Sequence, residues 1–203
     1  MTATYIKNSF QTLWMVWEDF FDVLTKYRSE SVRRYGICKL VIRKHQGKPI
    51  ECYDGQRIDK GEWIGELHLD NRQVLQMVRT LGSDRAGLRI ARMFRKAVEQ
   101  ITLDMIGQPE LQKIKALTGI TLLHRGIIHG MGFEQHPIKA RFQRSFFKLY
   151  LRLLLRTMHP EGNRRIQAGS EKLSPVMLII SQASLKERAA DQAACITGQE
   201  AVS

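Results

Sequence analysis

The chain has 203 residues, 43% hydrophobic and 26% charged, a balance that supports one folded domain with a substantial core and excludes wholesale disorder. Thirty-two Lys and Arg against twenty Asp and Glu leave a net charge of +12, which favours anionic partners: nucleic acid, acidic lipid or phosphorylated molecules. Cys38, Cys52 and Cys195 show no C-x-x-C spacing, so the sequence assigns neither a zinc site nor a disulfide framework, and reduced thiols fit the cytoplasm.

The first predicted element is a helix over residues 9–27, where Phe10, Leu13, Trp14, Trp17, Phe21 and Leu24 recur at helical spacing. Glu18 and Asp19 interrupt its apolar start too early for a signal peptide, and no run reaches the roughly 18 apolar residues of a membrane span. Ser29 to Tyr35 reads as a basic connection. From residue 36 the period falls to two: Cys38, Leu40 and Ile42 alternate with Lys39, Val41 and Arg43. Ile50 to Tyr53 is a second short strand, and Asp54-Gly55 predicts a two-residue type I′ hairpin turn. After a turn at Lys60-Gly61, a third strand places Trp63, Gly65, Leu67 and Leu69 on one face, with Ile64, Glu66 and His68 on the other. The expected result is an antiparallel meander.

Asp70 or Asn71 caps a helix from Gln73 to Leu81, which Gly82 ends. Ser83 or Asp84 caps a longer one to about Ile106. Its predicted core stripe is Leu88, Ala91, Phe94, Val98, Ile101 and Met105, opposite a basic stripe of Arg85, Arg89, Arg92 and Lys96. A short helical turn follows Gly107-Gln108-Pro109, then a strand over Ile120 to Leu123, a short helix from Arg125 to Met131 and a strand over 133–138. Residues 139–158 form a second long helix, Val176 to Ile180 a last strand, and Ser184 caps a final helix from Leu185. The fold class is therefore α+β: a mixed sheet with an N-terminal antiparallel meander and packed helices, in a single domain over 1–188. Residues 189–203 are Ala-, Gln- and Gly-rich and read as a disordered tail.

Candidate chemistry concentrates in two places. In the helix 139–158, Arg141, Arg144, Lys148 and Arg152 share one side, opposite Phe142, Phe146, Leu149 and Leu153. Such a face suits anionic lipid or a phosphorylated ligand. Strand ends that lead into helices are favoured ligand positions, and His68 and His124 both occupy one. A neutral imidazole serves there as a general base. Glu66 beside His68, Asn71 at the helix start and Arg125 beside His124 complete the set. No helix-turn-helix, zinc-finger or RNP-type pattern is present, and aromatics at 8% offer few stacking platforms, so sequence-specific nucleic-acid binding is not expected. No nucleophile elbow, Walker loop or dinucleotide fingerprint appears, so no cofactor or metal is assigned.

The block Asp54-Gly55 with Lys60-Gly61-Glu62-Trp63-Ile64-Gly65-Glu66-Leu67-His68-Leu69-Asp70-Asn71 resembles one of the YkoP-like family. Gly119 to Arg125 with Met131-Gly132-Phe133-Glu134 is similar to its second block, and His159-Pro160-Glu161-Gly162 with Leu173-Ser174-Pro175 to its third. The likeness spans about residues 36–188. Members of that family occur alone or C-terminal to polysaccharide deacetylases, which implies work in cell-envelope carbohydrate metabolism and supplies no catalytic residue. His68 and Asn71 match the family pattern; His124 departs from it. Two readings follow: a binding or accessory module for an anionic partner, located in the cytoplasm or at the inner membrane face, or a transferase acting on a phosphate-bearing donor with His68 as general base. Oligomeric state is left open.

Overall fold

Apolar residues at every second position of 38–44 and 63–69 can bury one side of a sheet only if the two segments are extended and paired in register. They are. The computed structural model describes residues 29–121, 128, 130–137 and 176–200. In chain order its elements are β1 (Ser31–Tyr35), β2 (Cys38–Lys44), β3 (Ile50–Glu51), β4 (Arg57–Ile58), β5 (Trp63–Leu69), α1 (Asn71–Leu81), α2 (Ser83–Gly107), α3 (Pro109–Gln112), β6 (Ala116–Thr121), β7 (Glu134–Pro137), β8 (Val176–Ser181) and α4 (Gln182–Glu200).

Six strands form one mixed sheet in the order β1-β2-β5-β6-β8-β7, and β3 and β4 pair in a separate two-stranded hairpin. β1, β2 and β5 are antiparallel, with Leu40 opposite Leu67 and Lys39 opposite His68. β5 and β6 run parallel, joined through α1, α2 and α3, and β8 lies antiparallel between β6 and β7. The architecture is the expected α+β fold with a mixed sheet.

The sheet's two faces differ. On the first, Leu40, Ile42, Leu117 and Ile180 share a core with Ile90, Phe94, Ala97, Ile101 and Met105 of α2. Removing this much apolar surface from water is the main stabilising term. A Cβ on Gly65 would lie 2.7 Å from Leu40 Cδ1 and 2.8 Å from Leu117 Cδ2, so glycine is what lets these side chains close over β5. On the second face the β3–β4 hairpin lays Ile58 and Cys52 against Ile64, Ala116 and Ile179. The remainder of that face carries the polar groups considered below.

Several local expectations change. Residues 31–35 are a strand because Val32 and Arg34 pair with β2 while Tyr35, on the helix side, donates a 2.7 Å hydrogen bond to Asp104. The segment around 50–58 is not the middle of a three-stranded meander: β5 pairs directly with β2, and the hairpin is an insertion between them. In its turn only Gly55 has positive φ, +82°, and Gly55 N donates to Cys52 O at 3.0 Å. That makes a three-residue loop ending in a left-handed glycine rather than a type I′ turn. Asp70 caps α1, accepting from the backbone of Arg72 and Gln73. Gly82 is the N-cap of α2, and neither Ser83 nor Asp84 takes that place.

Leu88 is 66% exposed, because the buried stripe of α2 runs through Ala86 and Ile90. β6 begins at Ala116, four residues earlier than expected, and α4 begins at Gln182, directly after β8. Ser181 caps it by accepting from Ser184 N at 2.9 Å. α4 spans Gln182–Glu200, beyond the point near 189 where the composition suggested a tail. The helices expected at 9–27 and 139–158 lie outside the described residues.

Candidate functional site

Alternation along β1, β2 and β5 sends Arg34, Lys39 and His68 to the second face, and the register places Arg34 opposite Lys39 and Lys39 opposite His68. A row of basic groups thus crosses three adjacent strands about 4.8 Å apart. Arg34 is 72% exposed and lies 3.9 Å from the Asp70 carboxylate. One step along, Glu66 accepts a hydrogen bond from Arg43 of β2. His68 Nε2 stands 3.6 Å from the other Glu66 oxygen, beyond hydrogen-bond distance, and is a buried nitrogen without a hydrogen-bond partner. Burial pushes the Glu66 carboxyl up, but the His68 imidazole and Arg43 guanidinium outweigh it and hold the group down to about 2. A carboxylate held by Arg43 therefore faces the His68 imidazole across 3.6 Å.

Of the residues expected at the site, Glu66 and His68 are brought together. Asn71 opens α1, two residues past the end of β5. His124, Arg125, Arg141, Arg144, Lys148 and Arg152 lie outside the described residues. Sequence reading missed Arg34 and Lys39. The only available signal for Lys39 was its place among alternating apolar residues, and β1 itself was unrecognised.

A second polar cluster sits further along the same face, where the β3–β4 turn meets β7, β8 and α4. Asp54 accepts from Ser181 Oγ, from Ser184 Oγ at 3.0 Å and from Gln56 N at 3.0 Å. Burial raises its carboxyl, and these donors more than compensate, leaving it below the usual carboxylate value. Glu134 accepts from Tyr53 N at 2.7 Å and is bonded to His136 Nε2 at 2.8 Å. The His136 ring stacks on Tyr53, with centroids 5.5 Å apart. Between the two carboxylates lies Cys52, whose thiol is pushed up to about 12 by burial and by the charges of Glu134 and Asp54. A cleft of about 760 Å³ opens beside Asp54, lined also by Gln56, Gln182, Ser184 and Lys186. Among the described residues, no helix is long and apolar enough to cross a membrane.

Fold and surface together define an α+β protein with one helix-covered sheet face and one polar face, on which a basic row and an acidic-thiol cluster stand apart. The chain belongs to the YkoP family: the model of the YkoP domain matches residues 7–189. It is 24% identical over 170 residues to "Uncharacterized protein YkoP" of Bacillus subtilis (strain 168), covering 81% of this chain and 91% of that one. No solved structure matches it.

Proposed function

We propose that the protein is a binding or accessory module for an anionic partner, a lipid headgroup or phosphorylated glycan intermediate, serving cell-envelope carbohydrate metabolism at the inner membrane face. The observation that carries this reading is the cross-strand row Arg34, Lys39 and His68. Basic side chains held on neighbouring strands present several donors to one phosphate, which accepts charge-assisted hydrogen bonds from Arg34 and Lys39. Residues 139–165, with eight basic side chains and one acidic, would add to the attraction.

The test measures binding of the full chain to phosphatidylglycerol vesicles and, separately, to inorganic pyrophosphate, as salt rises from about 0.1 to 0.5 M and the screening length falls below about 10 Å. Binding that weakens steeply with salt is expected, and Lys39→Gln and Arg144→Gln/Lys148→Gln/Arg152→Gln should each reduce it. Vesicle binding alone identifies a membrane surface, and pyrophosphate binding alone a soluble phosphate ligand. Undiminished binding by both variants, or none by the parent protein, overturns the reading.

The Glu66–His68 pair favours a second reading, a transferase acting on a phosphate-bearing donor with His68 as general base and Glu66 orienting it. His68→Gln separates the two. Lost binding supports the module, whereas retained binding with lost turnover supports the enzyme.

A further inference from the structure

We propose that Cys52, Asp54 and Glu134 form a site for a divalent transition-metal cation of the zinc type. The three come from two distant segments: the β3–β4 turn supplies Cys52 and Asp54, and β7 supplies Glu134. One ligand atom from each lies within 4.8 Å of the others. Small inward shifts reach the distances of a metal site, with about 2.3 Å from sulfur and 2.0–2.2 Å from carboxylate oxygen. One thiolate with two carboxylates suits zinc and its neighbours better than magnesium or calcium, which take oxygen ligands alone.

Two further observations favour a cation at this cluster. In a chain with twelve more basic than acidic residues, Asp54 and Glu134 converge with no Lys or Arg ion pair among the described residues. The thiol between them is 95% buried by residue surface, Cys52 being 5% exposed, and the buried Gln56 Oε1 nearby has no hydrogen-bond partner. The donors around the two carboxylates are neutral hydroxyls and backbone N–H groups besides His136, so the negative charge gathered about the thiol is one a cation stabilises.

The existing hydrogen bonds leave the ligands usable. Asp54 Oδ1 accepts one bond, and each Glu134 oxygen has one partner, so lone pairs remain. Ser181, Ser184 and His136 then act as the outer partners that orient metal-binding carboxylates. On binding, the Cys52 S–H bond breaks, its proton passes to solvent and the sulfur bonds the metal. Three protein ligands leave a coordination position, and Asp54 also lines the cleft beside α4.

The reduced full-length protein is titrated with cobalt(II) in the absence of air. Expected are thiolate-to-cobalt charge-transfer absorption saturating at about one equivalent, loss of that absorption on adding zinc, and its absence in Cys52→Ser. Glu134→Gln retains an acceptor for Tyr53 N, so it should fold, with affinity for cobalt reduced more than about tenfold. Cys195→Ser should match the parent protein. If Cys52→Ser does not fold, Glu134→Gln and Asp54→Asn decide. No thiolate band in the parent protein, a band retained in folded Cys52→Ser, or unchanged affinity in both carboxylate variants overturns the site.

Discussion

Arg43 and Glu66 are diagonal neighbours on β2 and β5, and the His68 imidazole together with the guanidinium hydrogen bond from Arg43 keeps the Glu66 carboxylate charged although it is mostly buried. The same carboxylate faces the His68 imidazole, so a single charge serves both the sheet and the candidate site.

That charge has a pH signature. The Glu66 carboxyl titrates at about 2 in the folded chain against an ordinary value of 4.5. Because the folded value is depressed, the stabilisation is complete above about pH 4.5 and is lost as pH falls toward 2. Glu66→Gln should lower stability at pH 7 by about 2 kcal/mol and flatten the acid limb. Urea titrations of both proteins at pH 7 and pH 3 measure the difference, and parallel losses would remove the Arg43–Glu66 pair from the account.

Gly65→Ala tests the close packing over β5. The added methyl would meet Leu40 and Leu117 at under 3 Å, and both are fully buried. A loss of about 1–3 kcal/mol in denaturant unfolding is expected, the usual cost of overpacking. A neutral result would mean that the two leucines move aside freely.

Gly55 is a different case, since a Cβ there meets nothing within 4 Å while φ is +82°. Gly55→Val should cost roughly 1 kcal/mol or more through backbone strain, and Gly55→Asn less, because Asn tolerates the left-handed region better. Equal melting temperatures for the two variants would show that conformation is not the cause.

Along α2, Leu88 is exposed and Ile101 fully buried, although a helical stripe drawn on the sequence includes both. Ile101→Ala should destabilise by about 2–5 kcal/mol, whereas Leu88→Gln should stay within about 0.5 kcal/mol. Chemical denaturation of the pair distinguishes the buried stripe from an expected one that includes Leu88.

The sequence by itself determined the local structure with the strongest periodicity. Cys38–Lys44 and Trp63–Leu69 alternate apart from Val41 and Ile64, so their core faces, and Glu66 with His68 on the opposite face, were legible from spacing two. Asp70, Gly82, Gly55 and Gly61 punctuate the chain because capping and positive φ are short-range requirements. The long helix and the mixed α+β class followed from the same local rules, and the ordered YkoP blocks marked the family.

Tertiary structure alone decided what stands beside what. β1 carries Arg33 and Arg34 where a strand would ordinarily be more apolar, and it is a strand because β2 offers a free edge and Tyr35 a partner in Asp104. At the start of α2 the side that meets the core is that of Ala86 and Ile90, so Leu88 faces solvent, while Phe94, Val98, Ile101 and Met105 of the expected stripe are buried. Likewise, Lys39 faces His68 only through strand register, and Cys52 and Asp54 meet Glu134 across roughly eighty residues of chain. Periodicity is a property of neighbours within a turn or two; a site assembled from separate segments depends on how the sheet closes, and no local spacing encodes that.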